Sequence, residues 1–147
     1  MAKFEPGKSE KQGEVSDTTI AAIDFVQARY PRLSKLASIM VHTTDFPVTP
    51  PHDSYSAMSD FGNGLVHVID GPGCKVEGQI ETIVHELVHF LQKKRIKPDV
   101  YRNLQASYHA LAKKPEEYNE HPFEIGANKG GATARRRYVN MKRDLQQ

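Results

Sequence analysis

The chain has 147 residues, 38% of them hydrophobic, which suits one domain with a modest core and argues against several. A formal charge of +2 is too mild to name a nucleic-acid partner. No apolar stretch approaches 18 residues and no signal-peptide core stands near the N-terminus, so the sequence predicts no membrane span and a soluble, cytoplasmic protein. Cys74 is the single cysteine, which rules out an internal disulfide and fits a reducing compartment.

Residues 1–16 mix Lys3, Lys8 and Lys11 with Glu5, Glu10 and Glu14 around Pro6, Gly7 and Gly13, and read as a flexible tail ahead of a single domain over 17–147. Ser16 or Asp17 can cap a helix whose apolar face is Ile20, Ile23, Val26 and Tyr30, and Pro31 ends it. Leu36 to Thr44 has the β-rich character of a strand, and Pro47, Pro50 and Pro51 break the next stretch into a loop. A second strand is expected over Tyr55–Met58 and another over Leu65–Ile69. Phe61-Gly62-Asn63-Gly64 is a turn signal, so residues 54–70 read as a hairpin.

Ile80, Ile83, Val84, Leu87, Val88 and Leu91 then recur at i, i+3, i+4, i+7, i+8 and i+11, an amphipathic stripe that predicts a helix from about Gln79 to Ile96. Lys93, Lys94, Arg95 and Lys97 complement its C-terminal dipole, and Pro98 marks the stop. Beside the stripe lies His85-Glu86-Leu87-Val88-His89. On a helix, residues four apart share a face, so two imidazoles can hold one tetrahedral Zn²⁺ while Glu86 points at its water. Catalytic zinc generally takes a third protein ligand. The metzincin continuation would need Gly and His where Gln92 and Arg95 stand, which leaves a carboxylate from a later helix.

Val100 to Ala112 is a further amphipathic pattern, and Pro115 starts a loop toward the third-ligand region. There Pro122 reads as a first helical residue, and Glu124 and Asn128 share one face of the helix it begins. Glu124 is the leading third ligand and Asn128 could fix a ligand imidazole; Glu120 is the runner-up, with Glu116 and Glu117 behind it. Tyr118 and His121 are candidate donors to an oxyanion. Gly130-Gly131 form a weak point at which that helix is expected to bend or break. His42, His52, His67, His109 and His121 read as surface or hydrogen-bonded histidines, and Arg135-Arg136-Arg137 as a solvated helix face rather than a nucleic-acid site.

The pair of motifs, His85-Glu86-Leu87-Val88-His89 and Pro122-Phe123-Glu124-Ile125-Gly126-Ala127-Asn128, resembles that of the minimal gluzincins. These are small single-domain zinc metallopeptidases, many of them predicted in phages and bacteria, and the resemblance covers about half of the chain. It implies an α+β, zincin-like fold, with a small, mainly antiparallel sheet packed on an active-site helix and a third-ligand helix. It further implies one Zn²⁺ per chain on His85, His89 and Glu124, with Glu86 as the catalytic base and Asn128 supporting a ligand. The expected reaction is hydrolysis of a peptide bond by Glu-assisted attack of a zinc-bound water. The expected partner is a peptide or protein substrate in an extended conformation, laid against Leu65–Ile69 as the edge strand; no membrane or nucleic-acid partner is expected. The rival reading is a non-catalytic zinc-binding protein-interaction module.

Overall fold

The alternation of Ile39 and Val41, and of Val66 and Val68, places branched side chains on one face of neighbouring strands, where all four are buried. These strands belong to a four-stranded mixed sheet in a computed structural model that describes residues 2–5, 15–43, 57–71, 73–111 and 115–146. The strands are β1 (Ala2–Phe4), β2 (Ser38–His42), β3 (Ala57–Asp60) and β4 (Leu65–Ile69), in the order β1-β2-β4-β3. β1 is antiparallel to β2 and β3 to β4, while β2 and β4 run parallel with Ile39 opposite Val66 and Val41 opposite Val68. The molecule is therefore an α+β protein with a small mixed sheet, in which two of the three strand pairs are antiparallel.

Three expectations about the sheet change. Ala2–Phe4 is a strand rather than part of a tail, because Phe4, opposite Ile39, is fully buried in the core; residues 6–14 lie outside the described residues. β4 sits between β2 and β3, so the described edge beside the hairpin is β3 and not Leu65–Ile69. The strand expected over Tyr55–Met58 runs on to Asp60, with Tyr55 and Ser56 outside the described residues, as is the proline-rich stretch 47–51. The turn at Phe61–Gly64 forms as expected, with Gly64 at a φ of 64° that suits a residue without a Cβ.

The helices are α1 (Asp17–Arg29), α2 (Pro31–Ser34), α3 (Val76–Arg95), α4 (Pro98–Ala110), α5 (Pro115–Glu120) and α6 (Pro122–Leu145). Ser16 caps α1 by accepting from the Thr19 amide, and its hydroxyl and amide both donate to Asp70 just beyond β4. Thr19 Oγ1 also donates to Asp70, and Gln79 of α3 donates to Thr19 and to the Ile69 carbonyl. This buried polar chain joins the start of α1, the end of β4 and the first turn of α3. Ile80, Ile83, Val84 and Leu87 bury the stripe of α3 in the core, as their spacing predicts, while the helix itself begins three residues earlier than the stripe suggests.

α5 replaces the loop expected after Pro115, and α6 runs unbroken through Gly130 and Gly131. Those glycines lie where α6 packs against α3. A Cβ on Gly131 would stand 2.6 Å from the Glu81 carbonyl oxygen, and one on Gly130 would stand 2.9 Å from Val88 Cγ2. With buried Ala127 and Ala134, they let the two helices approach closely. Among the described residues, no helix is long and apolar enough to cross a membrane.

Candidate metal centre

α3 presents His85 and His89 one turn apart on the side facing α6, and the first turn of α6 delivers Glu124 to them. The start of α6 is set locally. Pro122 occupies the first helical position, and the His121 ring accepts from the Phe123 amide through Nδ1 at 3.1 Å. With Nδ1 accepting, the proton sits on Nε2, which reaches Ser107 Oγ at 2.9 Å. Burial lowers the His121 pKa, and both ring nitrogens are engaged, so His121 is a hydrogen-bonded histidine that caps α6.

His85 Nε2 and His89 Nε2 are 3.3 Å apart, and Glu124 Oε2 lies 3.3 Å from the first and 2.9 Å from the second. Tetrahedral angles at metal–ligand bonds of about 2.0–2.1 Å ask for ligand atoms roughly 3.3 Å apart, so the spacing suits an ion. The hydrogen bonding agrees. Glu124 is buried, and its Oε2 accepts no hydrogen bond of normal geometry. Two imidazole nitrogens and an ionised oxygen converge on a point that their own hydrogens do not fill, and a cation relieves that arrangement. Among the described residues, these three form the cluster of His, Cys, Asp or Glu atoms close enough to hold a metal ion.

Burial pushes the Glu124 carboxyl up, but the two imidazoles beside it prevail and hold its pKa at about 2, so it is ionised at any physiological pH. Burial likewise lowers the His89 pKa, and is outweighed by Glu124, by the charge of Glu86 and by Gln92, leaving it raised. Gln92 has a further part. Its Oε1 lies 3.0 Å from His89 Nδ1, and its Nε2 donates to the Phe123 carbonyl at 2.9 Å. That second bond fixes the amide orientation, so His89 Nδ1 donates to Gln92 and its Nε2 turns toward Glu124.

The partner expected to orient an imidazole was Asn128, but it is exposed, one turn beyond Glu124 on the outer face of α6. Gln92 takes that role. Gly126 makes it possible, since a Cβ there would lie 2.8 Å from Gln92 Nε2. Spacing could have pointed to Gln92, which stands three residues after His89 on the same helix face. Glu120, the alternative third ligand, is exposed on α5, as is Glu117, while the side chain of Glu116 lies outside the described residues.

Glu86 stands between the two histidines in sequence, and its Oε2 accepts from Ser59 Oγ of β3 at 2.6 Å. No local pattern marks Ser59, which arrives from 27 residues away through the register of the sheet. On the other flank, the Tyr108 ring lies 6.1 Å from that of His89, and its hydroxyl meets that of Tyr118. The remaining described histidines stand apart from the centre. Buried His42 contacts His67 at 2.8 Å, His67 approaches Asp60 at 3.5 Å, and His109 is exposed; His52 lies outside the described residues. Arg135 meets Glu81 and Arg137 meets the Tyr30 hydroxyl, both on exposed surface, in keeping with a solvated helix face.

No protein-family model, no curated protein and no solved structure matches this chain.

Proposed function

We propose that the chain is a zinc-dependent metallopeptidase of zincin-like, minimal gluzincin type, with His85, His89 and Glu124 as ligands and Glu86 as the base. The observation that carries this reading is the convergence of three ligand atoms within 4.8 Å of one another, with Glu86 on the same helix between the two histidines. A structural zinc site needs four closed protein ligands and no base, whereas this set leaves one tetrahedral position open. When bound there, zinc supplies Lewis acidity, lowering the pKa of a coordinated water to about 7 and polarising a carbonyl.

The chain's own groups do the rest. Gln92 holds His89 in the tautomer that keeps its Nε2 toward the centre. Glu86 takes a proton from the attacking water and passes it to the departing amine, so the carboxylate returns to its starting charge. β3, the described edge strand beside α3, offers its outer backbone to an extended peptide. A cytoplasmic setting belongs to the same proposal and rests on Cys74 being the single cysteine.

The test is bound-metal stoichiometry by elemental mass spectrometry, for the wild-type protein and Glu124→Ala, each purified without a histidine tag or chelator. About one zinc per chain, lost in Glu124→Ala, is the expected result; a wild type without metal refutes the proposal. Glu86→Gln then separates peptidase from binding module. The peptidase keeps its zinc and loses hydrolysis of a casein substrate, whereas a zinc-loaded wild type that cleaves nothing favours the non-catalytic module.

A further inference from the structure

The Ser59 hydroxyl stands 2.6 Å from Glu86 Oε2 and 3.0 Å from the Glu86 main-chain oxygen. Both of those atoms are acceptors, and the hydroxyl has one proton to give. It goes to the carboxylate, since 2.6 Å falls in the range of charge-assisted O–H···O⁻ bonds, and the main-chain contact is the weaker branch. Ser59 is itself fixed in place. It lies opposite Val66 in the antiparallel β3–β4 pair, and Val66 is fully buried, which directs Ser59 to the helix side of the sheet.

A half-buried glutamate on a helix, as Glu86 is, has several rotamers of similar energy. A bond from a strand to one of its oxygens selects among them. We propose that Ser59 is the positioning residue of Glu86, engaging Oε2 so that Oε1 is the oxygen presented to the reacting water. This inference rests on the peptidase reading. The O–H bond of water breaks as its oxygen bonds to the carbonyl carbon, and its proton lands on Oε1; the same proton then moves to the departing amine nitrogen as the C–N bond breaks, leaving the oxygen on the carbonyl carbon as part of the new carboxyl group. Ser59 keeps its own proton throughout and remains bound to Oε2. Its hydroxyl engages neither substrate nor metal, and acts only through the carboxylate.

The test uses the full chain loaded with zinc, as wild type, Ser59→Ala and Ser59→Thr, each also carrying Glu86→Gln. Zinc content, hydrolysis of a fluorogenic casein and calorimetric binding of acetohydroxamate are measured on all six. Acetohydroxamate binds as its anion, so its proton must pass to a nearby base, which makes its affinity a report on Glu86 that needs no turnover. Ser59→Ala is expected to keep one zinc and the wild-type KM, lose roughly 10–100-fold in kcat as supporting partners of a metal site typically do, and bind acetohydroxamate more weakly. Ser59→Thr, which retains the hydroxyl, restores both. In the Glu86→Gln background, Ser59→Ala is expected to change acetohydroxamate binding no further.

Wild-type kcat in Ser59→Ala overturns the assignment. A loss of acetohydroxamate binding of equal size in both backgrounds, or a loss that accompanies departure of zinc, also overturns it, because Ser59 would then be holding the strand rather than the carboxylate. A zinc-loaded wild type without hydrolysis overturns the peptidase reading itself, and the role of Ser59 in it.

Discussion

Gly131→Ala tests how the two ligand-bearing helices are held together. Removing glycine from a helix interior should by itself stabilise a protein by about 1 kcal/mol. At Gly131 the added Cβ would meet the Glu81 carbonyl oxygen at 2.6 Å, about 0.8 Å inside the 3.4 Å at which ordinary contact begins, and Glu81 Cγ at 3.2 Å. The first obstacle is helix backbone, which cannot swing aside as a side chain can. Overpacking of this kind costs about 1–3 kcal/mol, and a main-chain obstacle places Gly131 in the upper part of that range, at about 2–3, so after the gain of about 1 the net expectation is a loss of about 1–2 kcal/mol. Gly78→Ala in the first turn of α3 is the matched control, since nothing lies within 4 Å of its added Cβ, and it should gain roughly 0.5 kcal/mol. Urea unfolding of the metal-free proteins reads both effects. With a slope of about 2 kcal/mol/M, the midpoint falls by roughly 0.5–1 M in Gly131→Ala and rises by about 0.25 M in Gly78→Ala. Because Glu124 rides on α6 and both histidines on α3, Gly131→Ala should also weaken zinc binding by roughly tenfold, about 1.4 kcal/mol. A midpoint equal to or above wild type in Gly131→Ala would refute the close approach of α3 and α6.

Gln92→Ala removes the acceptor that orients His89 and should weaken zinc binding about 10–100-fold in a chelator competition, while Asn128→Ala leaves it unchanged; the reverse order would return the supporting role to Asn128. Gly126→Ala crowds Gln92 Nε2 and should produce a milder loss in the same assay. Asp70→Asn should destabilise the fold at pH 7 by about 3 kcal/mol, because three donors converge on that buried carboxylate. Burial raises the Asp70 pKa, yet the hydrogen bonds from Ser16 and Thr19 leave it below its ordinary value. Its contribution is therefore fully present above the unfolded carboxyl pKa of about 3.9 and disappears as pH falls through the lower folded one. Urea midpoints of wild type and Asp70→Asn should accordingly converge below about pH 4; a gap that stays constant to pH 2 would contradict the assignment.

What the sequence discloses about the site is what a helix carries within one or two turns. His85, Glu86 and His89 were legible from their spacing, and Glu124 from the Pro122 start of its own helix, because helical geometry alone places such residues on a face. Gln92 was within reach of the same rule. Ser59 was not, since its contact with Glu86 depends on which strand lies at the edge, and that order arises from the parallel pairing of β2 with β4 across residues distant in the chain. β1 is hidden in the sequence for a similar reason. Three residues beside a polar, glycine-containing stretch carry too little periodicity to signal a strand, and only the burial of Phe4 against β2 makes them one.

The glycines of α6 show why a local rule can have the wrong sign. Read along the chain, Gly126, Gly130 and Gly131 weaken a helix, and propensity gives sound grounds to expect a break at the pair. Across the interface each is a space already taken: by Gln92 at the first, by Val88 at the second and by the main chain of Glu81 at the third. At Gly131, where the neighbour is main chain, a larger residue would move α6 away from α3, and with it Glu124 from two imidazoles that stand 2.9 and 3.3 Å from its oxygen. The helix thus gives up intrinsic stability along one side in order to pack closely, and the same closeness sets the spacing at which the three ligand atoms suit a metal ion.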